Sequence, residues 1–284
     1  DALSAFFLIP LFLVATACAW AADDHAPGAR GTRVWFGLIV AGIGGVFCAS
    51  GPLSLLLSWE VMAFAAFFAI SAGHHDRAVR RAGWLYLAAT RVGTLALIAF
   101  CVLWTLQTGG HAFVPLPSGV ADTTVGTTLF LLALLAFGLK AGVVPLHFWL
   151  PSAHASAPAH VSALLSGMLI KTGIYGLVRL IALFPDPPLW WGGLLLGLGA
   201  LSGLFGVLCA LAEHDLKRLL AYHSIENIGI ILIGLGLGLI GLHHGNAVVA
   251  ALGLGGGLLH VLNHALFKSL LFLAGGAAVH GAGT

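Results

Sequence analysis

LKAGVVPLHFWLPSAHASAPAHVSALLSGMLIKTGIYGLVRL, residues 139–180, carries two lysines, Lys140 and Lys171, in otherwise apolar surroundings. The apolar run that leads into it from residue 125, and the one at 160–183, are each long enough to cross a bilayer, whose hydrocarbon core takes ~20 helical residues. Between them stands Pro145, which cannot donate a backbone N–H, so a kink or break is predicted close to Lys140. A broken helix beside a buried charge is a recurring device at ion sites in transporters, because it frees backbone carbonyls and a dipole end.

Working outward, the rest of the chain has the same character. Of its 284 residues 60% are hydrophobic and only 8% charged, against roughly 25% charged in an ordinary soluble domain. Lipid, not water, must cover such a surface. Apolar runs at 3–20, 34–50, 53–71, 83–106, 125–150, 160–183, 191–212, 219–242 and 247–274 predict about nine transmembrane helices. Continuous runs favour helices over the alternating pattern of a barrel, so the fold class is an all-α integral membrane protein. Threading these spans puts Arg30, Arg33, Arg77, Arg80, Arg81, Lys217 and Arg218 on one side and no basic loop residue on the other. Basic loops stay cytoplasmic, which orients the first span from outside to inside. Gly193-x-x-x-Gly197, Gly199-x-x-x-Gly203 and Gly234-x-x-x-Gly238 are small-residue packing patterns, read as close packing within one bundle or as a dimerisation face.

The other five basic residues, Arg91, Lys140, Lys171, Arg179 and Lys268, fall inside spans. A charge at a helix centre costs at least ~2.5 kcal/mol, so each needs a reason. Glu60 lies near the middle of the third span and is read as a proton-path carboxylate or one half of a structural salt bridge. Lys140, with His147 following in the disturbed stretch, and Lys171 at the centre of the sixth span are read as proton-binding groups, with fixed paired charges as the alternative. His260, His264 and Lys268, spaced i, i+4, i+8, share one helix face. Two histidines at i, i+4 can bind zinc, but no accompanying carboxylate or third ligand lies nearby in sequence. A polar stripe lining a hydrated path suits them better, since each imidazole can accept and donate a proton. Arg91 with Thr94, and Glu226 with Asn227, are accessory positions for proton transfer or internal hydrogen bonding.

Cys18, Cys48, Cys101 and Cys209 sit singly in apolar runs and are read as packing residues. No cofactor site, metal site, nucleophile or nucleotide loop is apparent, so catalysis by this chain alone is not expected, nor is a nucleic-acid partner. The chain opens on Asp1 in an apolar run and stops at Thr284 just past another, as expected of a piece of a longer protein.

The pattern K-x4-PLHxWLP-xAH at 140–154, with SWE at 58–60, LKRLLAYHSIENIG at 216–229 and HVLNHALFKSLLFLAGG at 260–276, resembles the antiporter-like membrane subunits. These are shared by respiratory complex I, multisubunit cation/proton antiporters and membrane-bound hydrogenases. PAHVSALLSGMLIKTGIYG with AYHSIENIGI is most similar to the branch of hydrogenase 4 component B and formate hydrogenlyase subunit 3. The resemblance implies inverted five-helix repeats, each with one broken helix. Residues 1–33 would then be a leading helix and cytoplasmic loop, 34–183 the first repeat, broken near Pro145, and 184–284 a truncated second repeat of three helices. It also implies that Glu60 pairs with Lys140, that Lys171 is the central connecting lysine and that His260, His264 and Lys268 form a second polar row. Thr94 departs from relatives that carry an acid there, and His154 closes the PLHxWLP-xAH pattern as a further accessory residue.

The function so implied is proton translocation within a redox-driven complex, most similar to a hydrogenase of the hydrogenase 4 or formate hydrogenlyase type. The implied partners are other membrane subunits and a peripheral hydrogenase or dehydrogenase arm, in a bacterial or archaeal inner membrane. A subunit of a sodium/proton antiporter or of a respiratory NADH dehydrogenase complex, and a structural membrane anchor for a hydrogenase module, are the alternatives.

Overall fold

A computed structural model describes residues 1–22 and 29–282; the side chain of Arg30, counted above among the basic loop residues, lies outside the described residues, as does Thr284. The described residues hold eleven α-helices and no strand. The first five are α1 (Ala2–Trp20), α2 (Ala29–Cys48), α3 (Pro52–Ile70), α4 (Arg77–Thr108) and α5 (Thr124–Ala141). Two short helices follow, α6 (Leu150–Ser156) and α7 (Ala159–Leu164), and a π-turn over Leu165–Leu169 joins α7 to α8 (Lys171–Ile181). The last three are α9 (Leu189–Ala212), α10 (Leu216–His243) and α11 (Ala247–Ala282). Taking α7 to α8 as one rod, nine of these segments are long and apolar enough to cross a membrane. The protein is a multi-pass membrane protein.

Several helices outrun the apolar stretches that predict them. α4 begins at Arg77 rather than 83, α10 at Leu216 rather than 219, and α11 runs on to Ala282. Of the basic residues assigned to loops, Arg77, Arg80, Arg81, Lys217 and Arg218 therefore sit in the first two turns of helices, and Lys217 Nζ donates to the Ala157 carbonyl at 3.0 Å. Asp76 and Asp215 cap those two helices, accepting from Ala78 N at 2.7 Å and Arg218 N at 2.8 Å.

The larger correction concerns the fifth span. It ends at Ala141, nine residues short of the predicted 150, and Gly142 leaves the helix in the left-handed region at φ 78°. The cause is Pro145, whose ring would collide with the carbonyl four residues back, that of Ala141. No helix resumes until Leu150, and α6 then crosses to pack on α4 and α10.

The rod α7–α8 lies at the centre of the molecule and is almost wholly buried. α2, α3, α4 and α5 gather on one side of it, with α2 and α5 against α8, and α10 packs between α9 and α11 on the other. α9 and α10 approach through glycine: a Cβ built on Gly229 would lie 2.5 Å from the Gly199 carbonyl oxygen. Gly234 meets Gly253 and Gly257 of α11 in the same way, whereas Gly193 and Gly197 face open space. Packing within one bundle thus accounts for two of the three glycine patterns. Outward-facing Leu95, Leu106, Leu208, Leu211 and Leu252 present an apolar coat to lipid.

Replacing Gly229 with leucine should destabilise the protein by roughly 1–3 kcal/mol through overpacking. Gly193→Leu, with no atom within 4 Å of its Cβ position, should cost far less. Thermal unfolding in detergent, followed for both variants, checks the difference.

Candidate functional site

Two clusters of ionisable side chains lie inside the helices. The first is built on α3, α4 and α5. Glu60 Oε2 accepts from Arg91 Nη1 at 2.6 Å, and its Oε1 accepts from Thr94 Oγ1 at 2.6 Å. Arg91 and Thr94 are three residues apart on one face of α4, so a single carboxylate spans both. The Arg91 guanidinium also lies 4.7 Å from the ring centre of Phe64.

Lys140 does not pair with Glu60 in this arrangement. Its ammonium is fully buried and has no hydrogen-bond partner among the described residues. It rests over the face of Trp59 at 4.6 Å and near that of Tyr86 at 5.7 Å, where ring quadrupoles attract a cation. Its charge and those of Glu60 and Arg91 still act on one another. The arginine holds the carboxylate through Nη1 alone, its Nε and Nη2 lying buried without a hydrogen-bond partner among the described residues, and Thr94 adds the second donor.

The interrupted stretch after Lys140 is held at several points. Gly142 N and Val143 N both donate to the Gly138 carbonyl, at 2.9 and 3.0 Å. The Trp149 indole N–H donates to the Leu139 carbonyl at 2.9 Å, and Val144 N donates to Ser202 Oγ of α9 at 3.0 Å. His147 packs its ring on Phe205 of α9, with centroids 4.7 Å apart.

The second cluster surrounds Lys171. The π-turn just before it sets Ile170 N on the Leu165 carbonyl, and Lys171 Nζ donates to the Ser166 carbonyl at 2.5 Å. Such extra-residue turns recur at functional positions in helices. Ser166 Oγ meets Ser224 Oγ of α10 at 2.8 Å. On α11, His260 and His264 lie ring-parallel with centroids 6.3 Å apart, and Lys268 follows, buried. His260 Nε2 lies 2.8 Å from Asn227 Oδ1, and Glu226 holds His223 Nδ1 at 2.5 Å. His154 stacks on Phe272 at 5.1 Å. Both ring nitrogens of His154 and of His264 are buried without a hydrogen-bond partner among the described residues. The charges of Lys171 and Lys268 act on both rings.

The predicted residues are thus brought together in two groups. Glu60, Arg91 and Lys140 form one; Lys171, His154, His260, His264, Lys268 and Glu226 form the other. α6 runs between them: its preceding Trp149 packs on Tyr86, 5.2 Å away, and its His154 faces the second group. His147 stands apart, against α9. Trp59, Tyr86, Ser166, Ser202 and Ser224 belong to the sites without having been singled out from sequence. Trp59 adjoins Glu60 and was open to suspicion on that ground; the others carry no local signal.

Comparison with known proteins matches residues 49–283 to the family model described as NADH:quinone oxidoreductase/Mrp antiporter, TM. The chain is 36% identical to hydrogenase-4 component B of Escherichia coli strain K12, over 98% of this chain and 43% of that protein. It is 44% identical to formate hydrogenlyase subunit 3 of the same strain, over 77% of this chain and 35% of that protein. It spans less than half the length of either. Its fold superposes on a chain of the Mrp complex from Dietzia sp. DQ12-45-1b with a TM-score of 0.87 at 27% identity, covering 100% of this chain and 30% of the other. A chain of the membrane-bound sulfane sulfur reductase, an archaeal respiratory membrane complex, gives 0.81 at 28% identity, covering 96% and 44%.

Trp149→Phe keeps the ring but leaves the buried Leu139 carbonyl without the indole donor. The carbonyl keeps Gly142 N at 3.3 Å, so unfolding in detergent should show a loss of about 0.5–1.5 kcal/mol, while Trp190→Phe, an exposed tryptophan, should be nearly neutral.

Proposed function

The chain belongs to the NADH:quinone oxidoreductase/Mrp antiporter family of membrane subunits, and we propose that it moves protons through a redox-driven membrane complex of the hydrogenase 4 or formate hydrogenlyase type. One observation carries this reading. Lys140, Lys171 and Lys268 are each buried in the membrane interior, and no carboxylate lies in ion-pair contact with any of them among the described residues. Fixed structural cations would be neutralised; cations left without such partners suit proton exchange. The identity to hydrogenase-4 component B and formate hydrogenlyase subunit 3 supports the branch.

The mechanism follows from charge. A carboxylate at ~4 Å stabilises an ammonium by about 4 kcal/mol at an effective dielectric near 20. Glu60 moving toward Lys140 favours the charged lysine, and Glu60 moving away leaves burial to favour the neutral one. The proton so released passes along α6 toward His154 and Lys171, then to His264 and Lys268. The energy comes from a partner complex of other membrane subunits and a peripheral hydrogenase or dehydrogenase arm. Arg33, Arg77, Arg80, Arg81, Lys217 and Arg218 mark the cytoplasmic face of a bacterial or archaeal inner membrane. Residues 34–183 form the first of two inverted repeats, and the residues from 184 on begin the second.

Lys140→Ala and Lys171→Ala in the full-length subunit should each lower proton pumping by the assembled complex in vesicles at least about a hundredfold, the lower end of the scale on which single proton-transfer groups act. Unchanged pumping in both variants defeats the proposal. Transport that needs sodium would favour instead the antiporter reading, which the fold similarity to the Mrp complex supports.

A further inference from the structure

We propose that Arg91 and Thr94 form a latch that holds Glu60 away from Lys140, so that opening this latch is the step that delivers the carboxylate to the lysine. The inference rests on the proton-transfer role given to Lys140 above, and it assigns positioning roles to two residues of α4.

Glu60 is one carboxylate among two cations. Both its oxygens are taken by α4, each at 2.6 Å, one by a guanidinium and one by a hydroxyl. Charge-assisted bonds of that length are the strong ones, and the pair of donors fixes the carboxylate in direction as well as position. Lys140 has no hydrogen-bond partner among the described residues, and Glu60, the carboxylate whose charge acts on it, is turned to α4.

Each cation also has an aromatic surface of its own. Arg91 lies 4.7 Å from the Phe64 ring centre, and Lys140 lies 4.6 Å from that of Trp59 and 5.7 Å from that of Tyr86. Either cation can therefore rest without the carboxylate, held by the ring quadrupole. The residues arranged to stay in place are the two cations; the residue arranged to move is Glu60. Phe64 and Glu60 are four residues apart on α3, so the ring remains beside Arg91 when the carboxylate turns away. Trp59, next to Glu60 in the chain, covers Lys140 in the same resting arrangement. Thr94 breaks the symmetry between the two cations. Its hydroxyl adds a bond only to the Arg91-bound position, and it favours the latched state without adding a charge.

The test uses the full-length subunit in its assembled complex. The infrared carboxylate band of Glu60, identified by its disappearance in Glu60→Gln, reports its partner in the resting complex. That band should shift in Arg91→Met and, by less, in Thr94→Val, and should stay in place in Lys140→Met. Protons pumped per electron should fall about tenfold in Arg91→Met, the scale of losing one charge-assisted hydrogen bond, and recover most of the way in Arg91→Lys, which restores a donor for Glu60. A band that moves in Lys140→Met and stays in Arg91→Met overturns the latch. So does pumping that is untouched by Arg91→Met. Should Arg91→Met fail to assemble, Thr94→Val alone decides, since an unmoved band there also overturns the proposal. Normal pumping in Lys140→Met defeats the proton-transfer role of Lys140 instead, and the band still reports which residue holds Glu60.

Discussion

Hydrocarbon offers no hydrogen bond, so whatever interrupts a helix inside it has to be replaced from elsewhere in the protein. Residues 142–149 are built on that constraint. Pro145 stops α5 at Ala141, and the groups set loose find partners at once: Gly138 and Leu139 carbonyls from below, the Trp149 indole from ahead, and Ser202 from another helix. α6 can then leave the axis of α5 and cross toward α10. That turn is what carries His154 to the second cluster.

The same scarcity of partners governs the charges. One glutamate, Glu60, lies among two cations in the first cluster and is bound by Arg91 alone of the two, and the second cluster places Lys171 and Lys268 around two histidines whose nitrogens have no hydrogen-bond partner among the described residues. Ordinary cores avoid such arrangements, because a buried charge without a partner costs several kcal/mol. Here aromatic faces and backbone carbonyls stand where carboxylates would normally be: Trp59 and Tyr86 for Lys140, the Ser166 carbonyl for Lys171. A cation supported in this way is held without being locked.

Much of this was legible in the sequence, for physical reasons. Hydrophobic length announces a membrane span, and proline announces a break; the nine spans and the interruption before Leu150 follow from those two signals. Where helices outrun their apolar stretches, as at Arg77 and Leu216, hydropathy marks the hydrocarbon and not the helix. The buried lysines and histidines stood out because charge is rare in apolar runs. Their partners did not. Whether Glu60 meets Arg91 or Lys140 depends on how α3, α4 and α5 rotate against one another, and nothing local to Glu60 encodes that. Ser202 lies 58 residues from Val144 and looks like any small residue in a glycine-rich helix. The π-turn before Lys171 is likewise silent, since nothing in LSGML distinguishes it from a turn of the α-helices on either side.

The fastening of Val144 to Ser202 and of Trp149 to Leu139 bears on time. A slack interruption would let the two halves of the span swing, and collective motions of that kind take microseconds to milliseconds. One pinned at both ends leaves the backbone beside Lys140 stiff, so the movement open to the site is rotation of side chains between staggered positions. In exposed residues such rotations take picoseconds to nanoseconds. The slow step of any cycle through this region then belongs to whatever drives the carboxylate, and the carboxylate follows it with little delay.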